Sequence, residues 1–275
     1  MEERVLSIVT WNVNGLRAAW RKGMRAWLEA ERPDLLMLQE IRASARELET
    51  ISAQLEEIGY RSFWNSAAKP GYAGTGFLTR VGLEPLSLET GIGEAEPDAE
   101  GRTLIAHYQG LVIVGCYFPN GTRGPERLAA KGRFYAAVGA RLADLAREYE
   151  VVVLCGDLNT AHTALDLAYP AVNVGNSGFL PIERGWIDDL LAGGFIDAYR
   201  HLHRGEPGAY SWWSAWGESR RHDTGWRFDY LLINEAAAQR ILSARIDKEV
   251  VLSGGLSDHA PVLVRLAAPE AGRRS

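Results

Sequence analysis

Short apolar runs of strand length, repeated along 275 residues, limit what this chain can fold into more than any other feature. They occupy 5–11, 34–39, 76–80, 102–108, 111–118, 151–155, 228–233 and 261–266. Runs this short, bounded by turn residues, read as buried strands. Helical patterns lie between some of them. Ser44 and Glu47 make a capping box, Leu48, Ile51, Leu55 and Ile58 follow at helical spacing, and Gly59 ends the segment. Pro125 opens a second helix, in which Leu128, Tyr135, Val138, Leu142, Leu145 and Tyr149 keep one face. Trp20, Met24, Trp27 and Leu28 suggest a third before Pro33. Gln109-Gly110 between two runs predicts a hairpin, so part of the sheet is antiparallel. Strands that both alternate with helices and form hairpins predict an α/β chain with sheets covered by helices in layers. No Pro/Ser/Gly-rich linker divides the chain, and no repeat is evident. The reading is one domain over 1–266 and a frayed tail from Ala267 to Ser275.

Composition excludes several classes. Hydrophobic residues make up 47% and charged residues 24%, as in a globular protein. No apolar stretch is long enough to span a bilayer, and MEERVLSIVTWN lacks a signal-peptide core. An intracellular, cytoplasmic protein is expected. Cys116 and Cys155 lie in apolar runs and read as buried thiols, not a disulfide or a nucleophile. The formal net charge of −5 argues at first against a polyanionic partner. Its distribution softens that. Residues 81–101 hold Glu84, Glu89, Glu94, Glu96, Asp98 and Glu100 with no Lys or Arg, while 120–133 holds Arg123, Arg127, Lys131 and Arg133 against Glu126 alone. The stretch 199–227 carries five Arg and three His against three acids. Such basic strips can hold a phosphate backbone; taken singly, each reads better as a solvated face.

Chemically capable residues collect at the strand boundaries. LSIVTWN ends at Asn12, with Asn14 beyond; LLMLQE ends at Glu40; LVIVGCYFPN ends at Tyr117 and Asn120; VVVLCGDLN ends at Asp157 and Asn159. Asp229 precedes YLLI, and Asp258-His259 precede APVLV. If those last two strands run antiparallel to the earlier ones, all six segments meet on one edge of the sheets. Each alone reads as a turn; six together read as a site. The set offers carboxylates, amides and one histidine, with no zinc-type Cys/His spacing, P-loop or G-x-S-x-G elbow. Oxygen ligands favour Mg²⁺ or Mn²⁺. Metal, carboxylates, amides and a histidine suit phosphoester hydrolysis.

Five segments resemble the exonuclease III branch of the endonuclease/exonuclease/phosphatase superfamily: TWNVNGLRA, LQEIRAS, CYFPNGTR, GDLNTAHTALDL and GWRFDYLLI. A sixth, LSDHAPV, is shared more widely across the superfamily. The resemblance runs in order from residue 10 to 262. It implies a four-layer α/β sandwich, two mixed sheets packed face to face with helices outside. It implies Glu40 as the main metal ligand, Asn12 and Asn14 beside it, Asp258 near the metal, and Asp157, Asn159 and His259 within the same metal-binding set. Asp157 would orient or deprotonate water, and Asn159 would bond the phosphoryl oxygens. Asp229 would fix His259 against the phosphate, Tyr117 would lie near the phosphate or leaving group, and Asn120 would support that loop. Some relatives carry Asp where this chain has Asn14; the amide can coordinate or hydrogen-bond but adds no negative charge.

The resemblance also implies DNA contacts from Arg123, His162, Asn173 and Asn176, although VNVGNSG reads equally as turn chemistry. Trp212, Trp226 and Phe228 would line a pocket for an extrahelical sugar, and Trp216 would wedge into the duplex. Core packing is the plainer reading for some of these indoles. The implied protein is a monomeric apurinic/apyrimidinic endonuclease acting on duplex DNA with abasic sites or blocked 3′ ends. It would cut 5′ to the lesion, leave a 3′-hydroxyl, and trim or dephosphorylate 3′ ends. The rivals are a superfamily phosphodiesterase acting on RNA, phospholipid or inositol phosphate, and a catalytically silent DNA-binding module.

Overall fold

Each apolar run forms a strand, and four further strands flank them. The structure is a computed structural model that describes residues 4–122, 124–215 and 217–269. In chain order the strands are β1 (Val5–Asn12), β2 (Leu35–Gln39), β3 (Tyr60–Asn65), β4 (Thr75–Arg80), β5 (Ser87–Thr90), β6 (Thr103–His107), β7 (Leu111–Tyr117), β8 (Val151–Asp157), β9 (Phe195–Asp197), β10 (Asp229–Asn234), β11 (Ile241–Ile246) and β12 (Val262–Ala267). They form two six-stranded sheets, ordered β11-β12-β1-β2-β4-β3 and β5-β6-β7-β8-β10-β9. In each sheet one parallel pair, β1 with β2 or β7 with β8, sits among antiparallel neighbours. Read from β11 in one sheet and β9 in the other, the order of pairings is the same: two antiparallel, one parallel, two antiparallel. The sequence shows no repeat, yet the backbone repeats a topology.

Three hydrophobic layers hold the sandwich together. Ile8, Met37, Phe77 and Val264 of one sheet meet Ile113, Val153, Leu231 and Ile233 of the other, all essentially without solvent contact. On the outer face of the second sheet, Phe134, Tyr135, Val138 and Leu142 of helix Pro125–Glu148 cover Val112, Val152 and Leu154, joined by Ile187 and Leu190 of helix Pro181–Ala192. On the other side, helix Ala45–Glu57 and the helical segment 16–31 cover Val9, Leu36 and Leu78 with Leu48, Ile51, Leu55, Met24 and Leu28. Strands covered on both faces have no room for alternation, which is why their sequences are continuous apolar runs.

The cap and the hairpin form as their residues predict. Ser44 Oγ accepts from the Glu47 amide while Glu47 returns to the Ser44 amide, completing the capping box. Gly110 adopts φ +72° in the β6–β7 hairpin, where the Tyr108 amide donates to the Leu111 carbonyl. Segment 16–31 is not one regular helix, because Gly23 at φ +122° breaks its ladder. Ala267 does not belong to a frayed tail: it ends β12 and pairs with Val5, its backbone bonds taken up by the sheet. Residues 270–275 lie outside the described residues. Cys116 and Cys155 are free and buried, and burial pushes the Cys116 thiol up to about 12. Among the described residues, no helix is long and apolar enough to cross a membrane.

The basic strips differ from expectation. Arg127 pairs with Glu96 and Glu100, Arg133 approaches Glu94, and Lys131 is buried against Glu183. Among the described residues of the strip at 120–133, the acidic segment 81–101 thus takes up Arg127 and approaches Arg133, while Glu183 takes up Lys131. In 199–227, Arg200 and Arg227 pair with Asp166, Arg227 also pairs with Asp197, His203 lies 3.2 Å from Glu206, and Arg221 and His222 meet Glu218.

Candidate active site

The six polar strand boundaries converge because β10 and β12 run against their neighbours. In the register of β10 with β8, Asp229 stands opposite Asp157. β12 runs antiparallel to β1, which brings the Asp258-His259 turn to the end of β1 that carries Asn12. The parallel pairs contribute strand ends: Asn12 pairs with Gln39, just before Glu40, and Tyr117 pairs with Asp157. Gly156 makes the approach of β8 to β7 possible. It has φ +148°, and a Cβ there would fall 1.8 Å from the Cys116 carbonyl oxygen.

Asn12 is the hub. Fully buried, it donates from Nδ2 to Glu40 Oε1 at 3.1 Å and to Asp157 Oδ2 at 2.9 Å, and its Oδ1 accepts from the Asn14 amide at 3.0 Å. Glu40 also accepts from the Tyr117 hydroxyl and is ion-paired with Arg42. Asn14 donates to Asp258 Oδ1 at 2.8 Å and accepts from Arg42 at 2.8 Å. Beyond Asp157, the Asn159 amide returns to Asp157 Oδ1 at 2.8 Å, Asn159 Nδ2 donates to the Phe118 carbonyl at 3.0 Å, and Asn120 reaches Asn159 Oδ1 at 3.4 Å. Asn14, Glu40, Arg42 and Asn159 all have φ between +45° and +55°. Left-handed backbone is unfavourable for Glu and Arg, and such strain collects where a site over-determines geometry.

His259 is held from two sides. Its Nδ1 lies 2.8 Å from Asp229 Oδ2, and its Nε2 is 3.8 Å from Asp157 Oδ2. Ser211 fixes Asp229 in turn, donating to Oδ2 at 2.7 Å while accepting from the Phe228 and Asp229 amides at 3.0 Å. Burial opposes the imidazolium, but the carboxylates of Asp229 and Asp157 outweigh it and raise His259 to about 10. Burial pushes Asp157 up to about 7 against the pull of that imidazolium. Burial also opposes the Asp258 carboxylate, yet the His259 charge and the bonds from Asn14 and Trp212 keep it below the ordinary range. For Tyr117, burial and the neighbouring Glu40 act together to hold the phenol well above its usual value.

These groups open into a cleft of about 340 Å³. Trp212, Trp226 and Phe228 wall one side, with Trp212 and Phe228 stacked at 5.3 Å and Trp226 against Phe228 at 5.4 Å. Trp212 is threaded between neighbours by bridges to Trp226 and His259, and its indole donates to Asp258 Oδ2 at 3.2 Å. Asn120 and Asn176 line the cleft as well. Trp213, beside Trp212 in sequence, is instead fully buried against Val251 and Ala260. Asn173 is spent on its own loop, donating to the Tyr169 carbonyl at 2.9 Å and accepting from Asn176 at 2.8 Å. His162 pairs with Asp188 at 2.7 Å, and neither it nor Asn173 is among the cleft-lining residues. Arg123 and Trp216 lie outside the described residues.

Sequence reasoning missed Arg42, Ser211 and Arg102. Arg42 stands two residues past Glu40 in the LQEIRAS segment, so its spacing was a usable signal. Ser211 precedes the tryptophan pair and carries no pattern of its own. Arg102 is buried, donates to the Tyr117 carbonyl at 2.9 Å and stacks its guanidinium 4.3 Å from the Tyr117 ring, a partnership that only the fold creates.

The donor set fits a divalent cation. Four carboxylates, of Glu40, Asp157, Asp229 and Asp258, face one imidazolium and one guanidinium, leaving a surplus of negative charge. One ligand atom each from Asp157, Asp229 and His259 lie within 4.8 Å of one another. Asp229 Oδ1 is buried with no hydrogen-bond partner among the described residues. A buried, unpaired carboxylate oxygen is costly unless a cation or proton meets it.

Comparison with known proteins agrees with this architecture. The profile of the endonuclease/exonuclease/phosphatase family matches residues 9–259. The chain is 36% identical over 258 residues to an exodeoxyribonuclease of Bacillus subtilis, covering 94% of this chain and 98% of that protein. It is 35% identical to the DNA repair nuclease APEX1 of Danio rerio, covering 95% of this chain and 82% of the relative. Among solved structures it resembles an AP endonuclease from Archaeoglobus fulgidus, with a TM-score of 0.85, 26% identity and coverage of 96% and 100% of the two chains. A 3′-5′ exonuclease from Neisseria meningitidis superposes with a TM-score of 0.87 at 26% identity, over 96% of this chain and 100% of that one.

Proposed function

The chain belongs to the endonuclease/exonuclease/phosphatase family as a hydrolase of its DNA-repair branch, and we propose that it hydrolyses the phosphodiester 5′ to an abasic site in duplex DNA, leaving a 3′-hydroxyl. The observation that carries this reading is the Asp229–His259 pair facing Asp157 beside an aromatic-walled cleft. Glu40, with Asn12, Asn14 and Asp258 around it, would hold Mg²⁺ or Mn²⁺; Asp157 and Asn159 lie close enough to share that role, and His259 would join them only as the neutral imidazole. When bound, the cation supplies neutralisation of charge on the phosphate oxygens.

The chain's own residues do the rest. Asp157 orients the attacking water and accepts its proton, as suits a carboxylate raised to about 7. Asn12 keeps the Asp157 carboxylate in register with Glu40. His259, protonated and locked by Asp229, hydrogen-bonds the phosphoryl oxygens as negative charge builds. Asn159, a neutral donor fixed at its backbone, does the same with the Nδ2 proton it does not give to the Phe118 carbonyl. Tyr117 lies on the same edge, within reach of the phosphate or leaving oxygen. Trp212, Trp226 and Phe228 receive the flipped sugar; unstacking is easiest where the base is missing. Asn120 and Asn176 border the backbone path. The likeness to a 3′-5′ exonuclease and to a Neisseria 3′ phosphatase bound to a product DNA hairpin supports work on 3′ ends as well.

One panel tests the proposal: abasic duplex, recessed 3′ end, 3′-phosphate and intact duplex, each with Mg²⁺, Mn²⁺ or EDTA. Abasic duplex should be cut fastest, and EDTA should abolish cutting. Asp157→Asn should keep the wild-type thermal midpoint and lose about 10²–10³-fold or more in kcat, the scale for losing a charge-positioned catalytic group. Near wild-type turnover in that variant would remove Asp157 from its role, and cleavage that survives EDTA would remove the metal.

A further inference from the structure

Lys131 and Glu183 form an ion pair with no solvent exposure on either side chain. A buried pair is a poor source of stability, because removing two charges from water offsets most of their attraction. Its partners point elsewhere. Lys131 Nζ donates to the Asn159 carbonyl at 2.7 Å, to Thr160 Oγ1 at 2.8 Å and to Glu183 Oε1 at 2.7 Å, which uses all three of its protons. Glu183 accepts from the amides of Gly178 and Leu180 through Oε2, and from the Ser177 hydroxyl through Oε1 at 3.1 Å.

Each end of the pair therefore grips a different wall of the cleft. One end holds the turn after Asp157, where Asn159 sits at φ +50°. The other holds the loop whose Asn176 and Ser177 line the cleft. The two walls also touch directly, through the Ala161 amide on the Gly178 carbonyl at 2.7 Å. Gly121, beside Asn120, packs into the same junction: a Cβ there would fall 2.6 Å from Ser177 Oγ and 3.2 Å from Glu183 Oε1. The plainer account makes Glu183 the acid of the first turn of helix Pro181–Ala192, with Lys131 as its counter-ion. That account explains the Leu180 and Gly178 bonds. It does not explain why the ammonium spends a proton on the Asn159 carbonyl.

We propose that Lys131 and Glu183 are positioning residues, a buried strut that locks the backbone of Asn159 to the 173–178 loop, so that the loop's docking on DNA and the aim of Asn159 are one mechanical unit. The catalytic half of this rests on the reading that Asn159 acts on the scissile phosphate; the mechanical half does not.

The test uses the full chain in four forms: wild type, Lys131→Met, Glu183→Gln, and the double variant, which leaves no unpaired buried charge. Hydrogen exchange is followed over 157–162 and 173–180, and thermal midpoint, kcat and KM are measured on abasic duplex. Lys131→Met should speed exchange in both segments together, by about tenfold or more. Its kcat should fall by ~10²-fold, the scale for misplacing a reacting group by about 1 Å, with KM within about threefold. The double variant should regain most of the thermal midpoint and none of the kcat. Glu183→Gln turns one acceptor oxygen into an NH₂ donor and strips Lys131 of its counter-ion, so it should lower the thermal midpoint and deprotect both segments as well. If Lys131→Met does not fold, the double variant carries the test alone, with both segments deprotected and kcat low at a near-native midpoint. Exchange rising in only one segment, or kcat recovering with the midpoint in the double variant, overturns the strut. Wild type that leaves abasic duplex uncut while the two segments still deprotect together overturns the functional reading instead.

Discussion

Asp157 and His259 lie 3.8 Å apart and are drawn in different directions by the same burial. Burial favours neutral forms, so the Asp157 carboxyl rises to about 7; three neighbouring carboxylates make the imidazolium the better state for His259, near 10. Between these values Asp157 is a carboxylate and His259 keeps its charge. For cleavage of abasic duplex at saturating divalent cation, kcat/KM should rise with pH along a limb at or below 7, since a bound cation favours the carboxylate further. It should fall as pH approaches 10 and His259 loses its proton. Asp229 is the principal group raising His259. Asp229→Asn should therefore move the alkaline limb to lower pH, and shift the acid limb to lower pH by less, because the Asp229 charge also helps raise Asp157. An alkaline limb that does not move would take Asp229 out of this role. At this scale the sequence was informative where a residue type was out of character for its position. A carboxylate at the end of a buried strand is such a case, as at Glu40 and Asp157. Ser211 is not: serine before a tryptophan is unremarkable, and its three hydrogen bonds exist only once β10 is in place.

Among the elements, the strands legible in the sequence were the inner eight, and the four that were not are the four sheet edges, β3, β5, β9 and β11. For β3, β5 and β11 the reason is solvent, and for β9 it is length, only three residues. An inner strand is covered on both faces and paired on both sides, so its sequence is uniformly apolar. Along β5 no residue is buried, and along β11 only Ile241 and Ala244 are. Edge strands also carry charge that discourages further pairing. The sequence pattern behind the loops was equally silent about what ties them together. Asp166 is fully buried and receives Arg227 Nε at 2.8 Å, Arg200 Nη2 at 2.6 Å and the Thr163 amide at 2.8 Å, while Arg227 reaches on to Asp197 at 2.7 Å. This network joins the 163–166 turn to the segment that carries Trp226 and Phe228. Removing one member leaves uncompensated buried charge, so Asp166→Ala should destabilise by about 3–5 kcal/mol. That corresponds to a drop of roughly 10 °C in Tm for a chain of this size. Burial opposes the Asp166 carboxylate, but Arg227 and Arg200 outweigh it and hold its pKa well below the ordinary range. A depressed folded value stabilises fully above the unfolded value of about 4 and is lost as pH falls through the folded one. Denaturant midpoints measured between pH 5 and 2 should therefore fall more steeply for wild type than for Asp166→Asn. Parallel slopes would show that the network carries no such linkage.

Over the whole molecule, charge is where the sequence was most easily misread. The strips at 120–133 and 199–227 look like a track for a phosphate backbone. In the fold, Arg127 faces Glu96 and Glu100, Lys131 is buried, and Arg200 and Arg227 are committed to Asp166 and Asp197. One-dimensional charge runs do not reveal which partners the topology will bring alongside, and here the acid-rich segment 81–101 folds back over the basic helix. Most of the described arginines and lysines in these strips have acidic partners within the fold, so a DNA enzyme built this way relies on few phosphate contacts, and on a shaped cleft with aromatic walls. The binding of the non-cleaving Asp157→Asn variant to abasic duplex should then depend only weakly on salt. Each neutralised phosphate contributes about −0.9 to the slope of log Kobs against log salt. Roughly two to four contacts give a slope of about −2 to −4. Arg127→Gln in the same background should leave the slope unchanged, because Arg127 is already paired. A slope steeper than about −6, or one that Arg127→Gln makes shallower by about 1, would mean that these ion pairs open to release their arginines to the backbone. The track legible in the sequence would then be real, and assembled only on DNA.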